Sequence, residues 1–118
     1  MTRFHPLHGT KPVQDYDIDQ EFQEAQRYYS VRFSNNLLFI REGFSWAYIP
    51  IKSIERAWAR LRFLRSTGCC SGVPQPCVVI TYDNESEILE MLNMGKAAEF
   101  VQLLHERAPE LIPFEPQP

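Results

Sequence analysis

The apolar positions of this 118-residue chain change period along its length, and each change marks a change of element. Over residues 17–29, Ile18, Phe22, Ala25 and Tyr29 recur at i, i+4, i+7 and i+11, while Gln20, Glu21, Glu24 and Arg27 fall off that stripe. The spacing predicts an amphipathic helix of about three turns. Asp17 or Asp19 can cap it, and acids crowd its first turn, where the helix dipole favours them.

From Ser30 the period becomes two. Val31 and Phe33 alternate with Arg32 and Ser34, the pattern of a half-buried strand. Asn35-Asn36 suits a tight turn, because Asn tolerates positive φ. Leu37–Ile40 forms a short buried strand, Glu42-Gly43 a second turn, and Phe44–Ile49 a further strand that Pro50 ends. Phe44, Trp46 and Tyr48 share one face of that strand, and Ala47 and Ile49 the other. Three strands joined by tight turns make an antiparallel meander.

Residues 51–65 read both ways. A helix would use Ile51, Ile54, Trp58 and Leu61. A strand would place Ala57, Ala59, Leu61 and Phe63 on one face and Arg56, Trp58, Arg60 and Arg62 on the other. Ala and Arg content leans toward helix, and periodicity leaves both open. Residues 66–75 are a loop by composition. Cys77–Tyr82 is a β-branched and aromatic strand, turned by Asp83-Asn84. Residues 85–92 then read as a strand, or as a helix capped by Asn84 with Glu87 three positions on. Ala97, Phe100, Val101, Leu104 and Ala108, widened by Leu103, form one face of a closing helix that Pro109 stops. The chain is expected to divide into a flexible N-terminal arm (1–16), a single domain (17–112) and a frayed tail (113–118).

Composition narrows the class. Apolar residues at 44% and charged residues at 23% describe a globular domain. The longest apolar run, Leu37 to Ile40, falls far short of the roughly 20 residues that span a bilayer, and the N-terminus lacks an apolar signal core. The expected compartment is the cytoplasm. The three cysteines, Cys69, Cys70 and Cys77, form no Cys-x-x-Cys pair, so reduced thiols are expected and no metal site. His5 and His8 flank Pro6 and read as solvated loop histidines. A net charge of −3 argues against nucleic acid. The charge is uneven: Asp15, Asp17, Asp19, Glu21 and Glu24 lie in one stretch, and Lys52, Arg56, Arg60, Arg62 and Arg65 in another. Asp83, Glu85, Glu87 and Glu90 form a third stretch, expected to offset the basic one locally.

The stretch NNLLFIREGFSWAYIPIKSIERAW (residues 35–58), with its Ile49-Pro50-Ile51-Lys52-Ser53-Ile54 step, resembles the opening sheet of bacterial pleckstrin-homology-like domains. The strand 77–82 and the helix ending near ERAPEL (106–111) extend the likeness over residues 30–111. The resemblance implies an α+β, mainly β fold. It would be a bent antiparallel sheet, partly closed as a barrel of about six to seven strands, capped by the C-terminal helix, with the helix at 17–29 as an addition. It turns residues 54–64 and 85–92 into strands. It leaves function open, since such scaffolds serve lipid, peptide and protein binding. The basic residues that phosphoinositide-binding members carry around the first hairpin turn are not matched by Ser34-Asn35-Asn36.

The functional expectation is a non-enzymatic module that binds a protein or peptide, or a second copy of itself, with no cofactor. No Gly-rich loop cradles a nucleotide, and a Cys–His nucleophile would need His105 beside one of the cysteines, without a local signature for it. Trp46 and the stripe Arg56, Trp58, Arg60 and Arg62 are the candidate contact residues, since Trp anchors interfaces and guanidinium groups beside an indole suit anions. The alternative is a peripheral binder of anionic or membrane surfaces through the same stripe. Membrane association is not the primary expectation.

Overall fold

A computed structural model describes residues 3–65 and 72–117. Its strands form two sheets, one of five strands in the order β1-β5-β4-β3-β2 and one of three in the order β6-β7-β8. The elements are β1 (Arg3–Pro6), α1 (Ile18–Glu24), β2 (Gln26–Tyr28), β3 (Val31–Phe33), β4 (Leu37–Glu42), β5 (Ser45–Pro50), β6 (Arg56–Arg65), β7 (Gly72–Tyr82), β8 (Glu85–Glu90) and α2 (Met94–Arg107), with a 3-10 turn at Ile51–Ser53. The class is α+β and mainly β, as expected. Among the described residues the sheets do not close into a barrel, and there are eight strands where six to seven were expected.

The meander β3-β4-β5 follows the predicted alternation. Leu38 pairs with Ile49 and Ile40 with Ala47 on one face; Phe39 pairs with Tyr48 and Arg41 with Trp46 on the other. Both faces are covered. The first packs into the main core with Val78, Ile80, Phe100 and Leu104 from the smaller sheet and α2. The second holds Leu37, Phe39 and Tyr48 under Phe4, Val13, Tyr16, Ile18 and Phe22. Phe44, expected beside Trp46, lies instead in the turn and is fully exposed.

The stretch read as an arm contributes to this cover. Arg3–Pro6 pairs in parallel with β5, and Leu7 is fully buried. The four residues of β1 carry no sustained period that would announce this, and the partner strand is 42 residues away in sequence.

Helix α1 is shorter than predicted. Asp17 caps it by accepting from the Gln20 amide at 3.2 Å, but Ala25 is already extended at φ −68°, ψ 138°. A seven-residue helix has little stability of its own, so tertiary contacts set its end. Tyr29, the last member of the predicted stripe, is exposed, and Tyr28 beside it packs instead on Phe100 and Phe33, with ring centroids 5.2 and 6.1 Å away. Tyr29 then turns the chain with φ +54°, and Val31 pairs back against Tyr28.

Residues 56–65 are extended, not helical, and pair along their length with β7. Residues 72–75, expected as loop, begin β7. Pro74 and Pro76 are tolerated there because pairing with β8 starts only at Cys77, so β7 has a neighbouring strand on one side at both prolines. Helix α2 fulfils its prediction: Asn93 caps it, accepting from the Lys96 amide at 2.7 Å, and Ala97, Phe100, Val101 and Leu104 are buried.

Two phenols join the layers. Tyr28 donates to the Lys96 carbonyl at 2.9 Å, tying β2 to α2, and Tyr82 donates to the His8 carbonyl at 3.1 Å, tying β7 to the segment after β1. Burial, and then Glu99, pushes the Tyr28 phenol up to about 12; burial, and then Glu87, Glu85 and Glu42, does the same for Tyr82. Unfolded, both phenols would lose their protons near 10.0. Their stabilising contribution is therefore intact below that value and is lost as pH climbs toward about 12. Spectrophotometric titration should show two late-ionising tyrosines. Stability to urea should fall over the same window, and less steeply in Tyr82→Phe.

Candidate functional site

The structure separates the candidate residues into two places. Arg56, Trp58, Arg60 and Arg62 share the outer face of the smaller sheet, opposite Thr81, Val79, Cys77 and Gln75. Trp58 is only 9% exposed and packs with Cys77 and Val79, so its ring is filler between strands. Its indole Nε1 is buried without a partner. Arg56 donates to the Phe114 carbonyl at 2.9 Å, which holds the C-terminal segment along the edge of β6. Arg60 and Arg62 are exposed.

The local charge compensation expected for this stripe does not form among the described residues. Glu85 and Glu87 instead flank His8, with N···O distances of 3.5 and 3.4 Å, and Glu42 meets His5 at 3.1 Å. The two histidines read as solvated thus sit against carboxylates at the border between the sheets. Burial, the largest influence, raises the Glu87 pKa.

Trp46 lies on the larger sheet, and there it meets a cluster that no sequence run announced. On the face carrying Trp46, Arg27 of β2 stands directly opposite Arg32 of β3, and Arg41 of β4 directly opposite Trp46 of β5. The Tyr29-Ser30 and Gly43 turns close one end of this face, and the residues enclose a cleft of about 440 Å³. Gly43 holds φ +62°, a conformation that costs a side-chain-bearing residue about 1 kcal/mol.

Aromatic faces hold the guanidinium groups. The Arg32 guanidinium carbon is 4.6 Å from the Phe22 ring centroid and 5.5 Å from that of Trp46; Arg41 is 6.0 Å from Trp46. Phe22 and Trp46 are themselves in contact, with ring centroids 5.2 Å apart, so α1 and β5 together supply the aromatic surface on which Arg32 lies. Arg41 Nε donates to the Gly43 carbonyl at 3.2 Å. Arg32 Nε is buried and has no acceptor. No ion pair engages Arg27, Arg32 or Arg41 among the described residues. Like charges directly opposed across strands are destabilising, and an unsatisfied buried donor adds a cost of about 1–3 kcal/mol. An anion in the cleft would relieve both: guanidinium forks bind carboxylates and phosphates through paired hydrogen bonds.

The thiol and the C-terminal histidine are engaged elsewhere. Cys77 donates to the Arg60 carbonyl at 3.3 Å, and His105 Nδ1 lies 3.0 Å from the Leu111 carbonyl. Cys69 and Cys70 fall outside the described residues. Cys77 is fully buried, and burial, against the opposing pull of Arg60 and Arg62, raises its pKa. A buried, protonated thiol is a poor nucleophile. Alkylation at mildly alkaline pH followed by peptide mass mapping should leave Cys77 unmodified in the folded chain and modify it in urea; labelling of the native protein would contradict this burial.

Comparison with known protein families, with curated proteins and with solved structures found no match to this chain.

Proposed function

We propose that the chain is a non-enzymatic binding module whose contact surface is the arginine cleft beside Trp46, and that its partner is a protein segment bearing acidic side chains. One observation carries this reading: Arg27 and Arg32 oppose each other across a strand pair, without an acid, while Arg32 Nε is buried and unsatisfied. A chain of net charge −3 that gathers three arginines at one cleft has a local field opposite in sign to its total, which steers an anion to that place. Trp46 at the wall gives the partner an aromatic surface beside the charge.

The test uses a Trp58→Phe protein, so that Trp46 is the reporting fluorophore. A short glutamate-rich peptide should change its emission saturably, with affinity that falls as salt rises. The same peptide with glutamine in place of glutamate should bind roughly tenfold or more weakly, as should the acidic peptide to Arg32→Gln. Equal response to both peptides would refute the reading. Binding to phosphatidylserine vesicles that is lost in Arg60→Glu/Arg62→Glu but kept in Arg32→Gln would move the function to the exposed arginines of the smaller sheet, as a peripheral membrane binder.

A further inference from the structure

The arginine cleft does not end at the sheet. Arg27 and Tyr29 also line a second cavity, of about 320 Å³, on the other side of β2. This cavity is bounded by Tyr28, Leu92 and the Lys96–Glu99 ion pair, whose charges are 3.6 Å apart. Leu92 is 65% exposed and Tyr29 51% exposed, so the cavity presents apolar surface to solvent.

Strand β2 runs between the two cavities and is the last strand of its sheet. Its ladder is to β3 alone, and no backbone hydrogen bond joins Gln26–Tyr28 to any further element among the described residues. The edge of the smaller sheet at β6 differs at its start, where Ile112 pairs with it through bonds of 3.0 Å to Glu55 and Ala57. The opposite edge, β8, carries Glu85, Glu87 and Glu90, charges that discourage a further strand. At β2 the side chains alternate. Arg27 faces the cleft with Arg32, while Gln26 and Tyr28, paired with Phe33 and Val31, face the other side.

Resting on the reading of the cleft as a site for acidic side chains, we infer that the partner binds as an extended strand added to the edge of β2. Successive side chains of an added strand point to opposite faces of the sheet. The residue beside Arg27 would meet the guanidinium groups, and its neighbours on either side would meet Leu92 and Tyr29. The recognised segment therefore alternates acidic with apolar residues. A short edge strand supplies few backbone bonds, so charge and the apolar cavity would set most of the specificity.

Four peptides test this by titration against the Trp58→Phe protein: a short peptide alternating glutamate with valine, a peptide of the same composition with its glutamates and valines in separate blocks, and two N-methylated forms of the first, each methylated on one alternate set of amides. The alternating peptide should bind about tenfold more tightly than the blocked one. One methylated form should be tolerated and the other should lose about tenfold or more, since only one set of amides faces β2. Leu92→Ser should weaken the alternating peptide and leave the blocked one unchanged. Equal binding of all peptides, still abolished by Arg32→Gln, would overturn the added strand while keeping the anion cleft. Failure of every peptide would refute the cleft itself. A molar mass that doubles with concentration, unaffected by excess alternating peptide, would give the edge to a second copy of this chain and overturn the inference.

Discussion

The contact of the Arg32 guanidinium with the Phe22 and Trp46 rings is the one on which the functional surface depends. Each ring gains attraction for a cation worth about 0.5–1 kcal/mol at an exposed site and more when water is excluded. That attraction fixes the position of the guanidinium without neutralising it. A carboxylate in the same place would hold the side chain as well but would consume its charge. With aromatic walls, the charge is presented, and the buried Nε is left with a donor to spend.

The covering of the larger sheet explains how such walls come to be there. Its outer face is apolar from Leu37 to Phe39 and is closed by residues 13–25, chiefly Val13, Tyr16, Ile18 and Phe22. The cover ends at Phe22 and Ala25, where the chain leaves α1 for β2. Beyond that border the face continues as Arg32, Arg41 and Trp46. The cleft is thus the uncovered remainder of a face that is otherwise core. Ser34 anchors the neighbouring turn, accepting from the Leu37 amide at 3.0 Å and donating to Glu21 of α1, so the helix is held at both the acidic and the aromatic side of its surface. A pH change that ionises Tyr28 would loosen β2 from α2, and with it the border between the two cavities.

Much of the fold was legible because the core obeys short periods. The meander, the strand at 77–82, the turn at Asp83-Asn84 and the closing helix all follow from alternation or from an i, i+3, i+4 face. The strand at 56–65 was undecidable from periodicity, since Ile51, Ile54, Trp58 and Leu61 fit a helix face as well as Ala57, Ala59, Leu61 and Phe63 fit a strand face; pairing with β7 decides it. What escaped was set by partners far away in sequence. β1 is a strand because β5 accepts it, and β2 is one because Tyr28 finds Phe100. The site escaped for the same reason. Arg32 was visibly outward between Val31 and Phe33, but Arg27 was assigned to a helix face, and Arg41 stood in a strand apart from both. Only the Tyr29-Ser30 turn, whose residues carry no strong hairpin signal, brings Arg27 opposite Arg32. The resemblance to pleckstrin-homology-like domains contributed the extended reading of residues 54–64 and 85–92, and it offered no signal for the cleft.

The central claim is that the charges of Arg27 and Arg32 oppose each other without compensation in the free protein. Urea unfolding of Arg27→Gln beside the wild type, at low and at high ionic strength, measures this directly. Relief of like-charge repulsion predicts that the variant unfolds at an equal or higher urea concentration in low salt, with the difference, of about 0.2–1 kcal/mol, shrinking as salt is added. A variant that is less stable in low salt, with the gap closing at high salt, would mean that Arg27 already has an acidic partner within the chain and would contradict the claim.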